Sequence, residues 1–414
     1  MKRRVSFVLA GLAAAIAAPA AAQSWPMFTW SGYGTAGAAY SDEDRGDYLV
    51  DVFKPNGPGH TDRISTSVDT RLGGQVTATF TPSLSAVVQV LVEQNFENSW
   101  RPHLEWGNVK WQPTEELSLR AGRVVLPVFM VTDSRRVGYA NPWVRPPVEV
   151  YSLVPVTYSD GVDGAWRTAV GPATNTVQAT FGRWKQDFGN AAGFDAGTAE
   201  ARRIMAVNDS IEWGAFTGRI TYGEARLTIS AYQPLWDAFA QFGPAGQAIA
   251  DRYNVNDRRV TFAGLGATYD PGEWFVMGEL AHFDTRSIVG KKSAGYVSGG
   301  VRLNKVTPYA TYARLRGDSA RSDPGVPLAG LPPEAAFVGA TVNGILNRQL
   351  GALADQSTVS LGARWDFMRS ASLKIQWDHV RLGSGSFGTF GNIQPGFPLG
   401  GSVNVYSAVA DFVF

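Results

Sequence analysis

Acid–base or metal chemistry in this chain would have to be built around four histidines, His60, His103, His282 and His379, because there is no cysteine. Without cysteine there can be neither disulfides nor thiolate metal sites. No Gly-x-Ser-x-Gly elbow is present to carry a serine nucleophile. No His-x-x-x-His pair or Asp-rich calcium loop occurs, and Gly290-Lys291-Lys292-Ser293 lacks the upstream glycine of a phosphate-binding loop. Only a Ser/His pair brought together across distant segments would leave room for a hydrolase. The sequence therefore predicts no catalytic residues, no metal and no cofactor.

What remains is fixed charge. One stretch concentrates it beside proline and aromatic residues: Arg123, Asp133, Arg135, Arg136, Arg145 and Glu149 are interleaved with Pro127, Phe129, Pro142, Trp143, Pro146, Pro147 and Tyr151, and Asp160 follows. Proline fixes φ and donates no N–H, so this stretch is not a central strand. A stiff loop with an apolar underside and a charged edge fits it, and residues 125–157 are expected to form a constriction wherever solutes pass. An ordinary external loop stiffened by proline is the alternative.

The elements that would position these charges are strands. In Thr66 to Phe80 the even positions are mostly apolar and the odd ones polar, and the same period of two runs through Val359–Phe367 and Leu373–Trp377. That is the signature of a sheet with two unlike faces. About sixteen such segments begin near residues 28, 65, 84, 103, 117, 158, 175, 211, 224, 259, 274, 295, 307, 357, 372 and 402. Glu212 to Tyr222 reads as a weak strand. Short turns follow the even segments, such as 81–83, 113–116, 170–173, 270–273 and 368–370. Long polar connections follow most odd ones: 41–64, 125–157, 187–210, 233–258, 317–356 and 383–400. Sorting of connections by parity is what a membrane barrel with tight turns on one side and long loops on the other shows. In lipid an open sheet edge has no partner for its N–H and C=O groups, so the sheet must close. About sixteen strands would enclose a water-filled lumen.

Taking polar faces as inward places Arg71, Lys110, Arg120, Arg167, Arg226, Arg302, Arg314, Arg316, Arg364 and Lys374 in the lumen. Asp69, Glu93, Asp163, Glu279, Asp366, Asp378 and Asp411 join them. Arg71, Arg120, Arg167 and Arg364 could face Asp133, Glu149 and Asp160 across the passage, giving a transverse field that sorts solutes by charge and dipole. The alternative is wall charges paired as structural salt bridges. Trp106, Trp143 and Trp184 could line a sugar path; Trp111, Trp166, Trp213, Trp274, Trp365 and Trp377 suit an interfacial aromatic girdle.

The two ends agree with a membrane barrel. Met1-Lys2-Arg3-Arg4, an apolar alanine-rich stretch and Ala20-Ala21-Ala22 read as a signal peptide over residues 1–22, with the barrel over 23–414. Removing its three basic residues from 37 leaves 34 against 36 acidic ones, which argues against a nucleic-acid partner. The last strand ends on an apolar, aromatic face with Tyr406, Phe412 and Phe414.

Together, the leader, the Ala121-Gly122-Arg123…Pro127…Phe129 segment with its long loop, and the terminal Asp411-Phe412-Val413-Phe414 resemble the Gram-negative outer-membrane porin superfamily. The resemblance implies a transmembrane antiparallel β-barrel of about 16 strands in the outer membrane. It would be a passive channel for small hydrophilic solutes and ions, usually a homotrimer, with the third loop folded inward against a basic wall. It also implies outer-membrane lipid as surroundings and the barrel-assembly machinery as the reader of Tyr406, Phe412 and Phe414. One departure is the short second outer loop, Gln94 to Pro102, which in such porins often reaches a neighbouring subunit. A slight basic excess in the lumen points to weak anion preference. The alternatives are a substrate-specific channel for an anion or sugar with a binding site in the constriction, and, further off, an adhesin or a lipase barrel.

Overall fold

The computed structural model describes residues 25–189 and 196–414. Sixteen long strands run antiparallel in chain order: β1 (Met27–Ser41), β2 (Arg71–Thr81), β3 (Leu84–Glu93), β4 (His103–Trp111), β5 (Leu117–Val125), β6 (Tyr158–Val170), β7 (Ala173–Phe188) and β8 (Gly197–Trp213) make the first half. The second half is β9 (Phe216–Ile229), β10 (Arg258–Tyr269), β11 (Trp274–Asp284), β12 (Lys291–Val301), β13 (Val306–Gly317), β14 (Gln356–Met368), β15 (Ala371–Leu382) and β16 (Ser402–Val413). Each pairs with its sequence neighbours, and β16 also pairs with β1 from Tyr33 opposite Val413 to Ser41 opposite Val405. The sheet is a closed barrel, so no edge meets lipid.

The closure is made by glycine under phenylalanine. Gly32 exchanges backbone hydrogen bonds of 2.9 and 3.0 Å with Phe414. A Cβ on Gly32 would lie 2.2 Å from the Phe414 ring, and one on Gly34 would lie 2.3 Å from the Phe412 ring. The two rings therefore lie flat on the outer surface of β1, stacked with centroids 6.4 Å apart.

Outward side chains form an apolar belt, including Val162, Phe181, Ile220, Leu265, Leu280 and Ile375. Trp111, Trp166, Trp213, Trp274 and Trp365 are all exposed near the short turns, as an interfacial girdle requires. Those turns include 82–83, 171–172, 214–215 and 369–370, and the longer connections emerge at the opposite end.

Several boundaries differ from the sequence reading. Most of the loop expected over 187–210 is strand: β7 runs to Phe188 and β8 begins at Gly197, paired with Phe188, while 190–195 lie outside the described residues. The eighth strand starts at Gly197, not 211, and the ninth at Phe216, not 224. Glu212 to Tyr222 is not one strand but a hairpin, with Trp213 opposite Phe216 and Gly214 at φ +57°. The physical reason is a bulge at Arg202–Arg203, where the register to both neighbours shifts and Arg203 takes φ +50°. A one-residue slip exchanges the two faces, so Ala199 and Ala201 point inward before the bulge, and Ile204 and Ala206 after it. Strand pairing of β2 begins at Arg71, whereas Ile64–Ser65 pairs separately with β1. Three connections expected as irregular carry helices: α1 (Val148–Tyr151) lies in the third loop, α2 (Gln233–Ala240) and α3 (Gly243–Tyr253) follow β9, and α4 (Pro333–Gly351) follows β13. The last three pack on one another through Trp236, Phe239, Ile249 and Leu346.

Candidate functional site: the lumen and its third loop

The connection from β5 to β6 turns into the barrel and packs on its inner wall. Leu126, Phe129, Trp143, Val150, Tyr151 and Leu153 of this loop form one apolar cluster with Phe262, Phe275, Tyr296, Tyr309 and Leu315 of the wall. Polar anchors fix it from both sides. Towards β11–β13, the Trp143 indole N–H donates to Ser298 (2.8 Å) and Thr311 (3.1 Å). Glu279 accepts from the Met130 amide at 2.9 Å and from the Tyr296 and Tyr151 hydroxyls. Towards β14–β16, Arg145 donates to both oxygens of Asp69 (3.0 and 2.6 Å), to Asp378 (3.2 Å) and to Ser407 (2.7 Å). Lys374, fully buried, donates to the carbonyls of Gly138 (2.7 Å) and Trp143 (2.9 Å) and pairs with Asp411 at 2.9 Å. Glu149 accepts from Gln356 at 2.6 Å and from Thr358.

Burial sets the electrostatics of the loop. It would lower the Arg145 pKa, but the Asp69 and Asp378 carboxylates outweigh it and hold the guanidinium above its usual value. Arg136 behaves alike: desolvation opposes its charge, and Glu93, Glu105 and Asp51 more than restore it. Arg135 falls to about 10, chiefly by burial and then by the neighbouring Arg136 charge, which Asp51 only partly offsets; it donates to the carbonyls of Tyr151 (2.7 Å) and Val154 (3.1 Å). Burial raises the Glu149 pKa, and the hydrogen bonds from Thr358 and Gln356 only partly offset this.

The sequence-derived lumen residues divide into groups. Arg145, Glu149, Arg135 and Arg136 are loop anchors, with Arg136 also 3.3 Å from Glu93. Arg364 faces the loop and donates to the carbonyls of Tyr139 (2.6 Å) and Asn141 (3.1 Å) while pairing with Asp366. Arg71 sits opposite Glu93 in register. Arg120 is bound by both oxygens of Asp163 at 2.6 and 2.7 Å, and exposed Asp133 on the loop acts on it electrostatically.

Other residues fall elsewhere. Arg167 is exposed beside Glu212 at the turn end, far along β6 from the loop. Arg123 and Asp160 pair with each other at 2.7 Å, in line with Val162 and Phe181 on the outer face, because the register runs unbroken along β5 and a residue three positions from inward Arg120 falls on the opposite face. Arg226, Arg314 and Arg316 also alternate outward, and Arg302 is held by Asp270 in a turn. Among the described residues most of these charges pair with adjacent ones, and Asp133 of the loop acts electrostatically on Arg120 of the wall. Of the aromatic residues, Trp143 and Trp184 are buried against the wall, the latter 5.5 Å from the Phe53 ring. A cross-strand His/Ser contact exists, His282 to Ser293 at 3.0 Å, but Ser293 donates its proton to Asp318 at 2.7 Å.

Two contributors escaped the sequence reading. Arg219 on β9 donates to the Phe129 carbonyl at 2.7 Å and ties the loop to the wall. Lys292 points inward in the same parity as Tyr296 and Ser298, a signal present in β12 itself.

With sixteen strands closed and a loop seated in the lumen, the comparison with known proteins is decisive. The family model for Gram-negative porins matches residues 8–412. The chain is a Gram-negative porin. It is thus an outer-membrane channel. No curated protein matches it by sequence. Among solved structures, an anion-selective porin from Comamonas acidovorans is 12% identical, with 94% of this chain and 100% of that one covered at a TM-score of 0.54. The outer-membrane channel DcaP of Acinetobacter baumannii is 10% identical over 94% and 97% of the two chains, at 0.54. OmpF of Salmonella typhi, in complex with daunomycin, is 12% identical over 94% and 97%, at 0.52. At such identities the likeness is one of fold.

Proposed function

We propose that this porin passes small hydrophilic solutes and ions by passive diffusion, through a lumen narrowed by residues 125–157, with no covalent step. The observation that carries the reading is the seat of that loop, bound to β11–β13 through Trp143 and Glu279 and to β14–β16 through Arg145 and Lys374. The open route then runs along the polar wall of β2–β8, where Gln75, Gln89, Asn108, Arg120 and Asp163 point inward. Lys110 and Arg120 there favour weak anion selectivity, screened beyond about 8 Å at physiological salt. Residues 1–22 act as the export signal, and Tyr406, Phe412 and Phe414 as the assembly signal. Family membership supports a homotrimer, although Gln94 turns its side chain onto Asn56 of its own barrel.

Single-channel recording of the mature protein in a planar bilayer under a KCl gradient tests this. Stable steps, grouped in threes, with a reversal potential of anionic sign are expected. Deleting residues 134–150 raises the conductance while the barrel remains heat-modifiable. Unchanged conductance in that variant would overturn the constriction.

A further inference from the structure

The lumen is not polar all round. Above the third loop lies a chamber of about 450 Å³, bounded by β7–β13, the loop, and the outer connections. Its wall is formed by inward residues that sequence alternation would have assigned to water: Trp184, Ile204, Val260, Phe262, Phe283 and Leu315. Leu153 and Val154 of the third loop close it on the inner side, and Ile288, Leu353 and Phe387 from three outer connections border it. A small-molecule site has this form, an apolar hollow of a few hundred cubic ångströms with few, placed polar groups.

The polar groups are unequal. Of the charged residues at its border, Asp51 receives the Phe53 amide at 2.9 Å, Lys54 pairs with Glu93 at 3.2 Å, and Glu224 is held by Arg259. Lys292 is different. Its ammonium makes no hydrogen bond or ion pair among the described residues, and no charged group there acts on it. Lys292 is half-buried, and on this apolar wall its ammonium has water but no counter-charge, a partner that a bound anion would supply. We propose that the chamber binds an amphipathic carboxylate, an aryl or alkyl chain bearing one anionic head, with its tail on Val260, Phe262, Phe283 and Leu315 and its head on Lys292. This rests on the channel reading, since the chamber stands on the path into the constriction. It names a solute class that a purely hydrophilic lumen would not hold.

The probe is 4-phenylbutanoate, added to single wild-type channels in a planar bilayer and, separately, titrated calorimetrically into the full mature protein in detergent. Saturable interruption of the current and a matching heat of binding are expected. Butanoate, with the head but no ring, and 4-phenylbutylammonium, with the ring but the opposite charge, should each need at least tenfold higher concentration. Lys292→Gln should raise the half-blocking concentration about tenfold, equivalent to about 1.4 kcal/mol, and Lys292→Arg should restore it. Equal block by the ammonium compound, or by butanoate, overturns the proposal, as does an unchanged constant in a folded Lys292→Gln barrel. Absence of conductance steps would instead count against the channel reading, and the titration in detergent then decides the site independently.

Discussion

Replacing Arg145 by methionine isolates what holds the third loop in the lumen. The guanidinium makes four contacts of 2.6–3.2 Å to Asp69, Asp378 and Ser407, and the two carboxylates are only 1% and 2% exposed. The substitution keeps the apolar stem and leaves both acids buried. Asp69 then loses its only side-chain hydrogen bonds among the described residues, while Asp378 keeps the one from Gln376 at 2.7 Å. Removing one partner of a buried ion pair costs about 3–5 kcal/mol, and the surviving bond at Asp378 favours the lower end. At about 3 kcal/mol the ratio of seated to unseated loop falls roughly 150-fold. Hydrogen exchange reads this directly: amides of residues 134–150 should lose about two decades of protection while those of β3–β6 keep theirs. Single-channel traces should become noisier and larger in mean conductance. The triple variant Arg145→Met, Asp69→Asn, Asp378→Asn removes the whole charge set and should recover most of the protection, because a neutral buried set carries no desolvated charge. Unchanged exchange in the single variant, or no recovery in the triple, would refute the ion pair as the anchor.

Other outcomes follow from the same geometry. Glu149 has a raised pKa in the folded protein, so its contribution to seating the loop is fullest at low pH and declines as pH rises through the folded pKa. Glu149→Gln keeps the acceptor for Gln356 and Thr358 and should flatten the acid side of a melting-temperature profile without lowering it; a drop of several degrees would show that the charge itself is needed. Arg120→Gln removes the cation opposite Asp133 and should move the reversal potential in a KCl gradient towards cation preference; no movement would remove this pair from the selectivity filter. Deleting Phe414 uncovers Gly32 and removes the two backbone hydrogen bonds that Phe414 makes to it at the closing seam. The deletion should lower the yield of heat-modifiable barrel from cells more than the yield refolded in detergent; equal losses would make it a stability effect alone.

Much of the barrel was legible because lipid on one side and water on the other force a period of two. β10 and β14–β16 start within one residue of their expected positions, and Val359–Phe367 and Leu373–Trp377 do alternate. The third loop was legible through its prolines. Legibility failed where its physical cause failed. In the upper part of β7–β9 the inner wall meets Trp184, Ile204 and Leu227 rather than water, while the outer face carries Lys185, Arg202 and Arg226. Apolar-inward with charged-outward is the inverse of a lipid-facing strand, and the bulge at Arg202–Arg203 then slips the phase. For the same reason Arg226, Arg314 and Arg316 looked like lumen charges when they point out. The pairing of Arg145 with Asp69 and Asp378 joins residues 76 and 233 apart in sequence, which no local pattern can encode.

The inversion at the upper wall also explains why the loop lies where it does. A segment with Leu126, Phe129, Trp143 and Tyr151 on one side needs an apolar surface to leave water, and in a uniformly polar lumen it would find none. The wall of β7–β13 offers Phe262, Phe275, Tyr296 and Leu315, so the loop is drawn to that side and held there by Trp143 and Glu279. Two consequences share this cause. The free passage is pushed towards β2–β8, where Arg120 and Asp163 stand, and the part of the apolar wall that the loop does not cover becomes the chamber around Lys292. A substitution such as Phe262→Ser should therefore act on both: the loop loses packing, and the chamber loses its tail contact. Joint loss of loop protection and of 4-phenylbutanoate block would fit a single wall doing both tasks, whereas loss of one with the other intact would separate them.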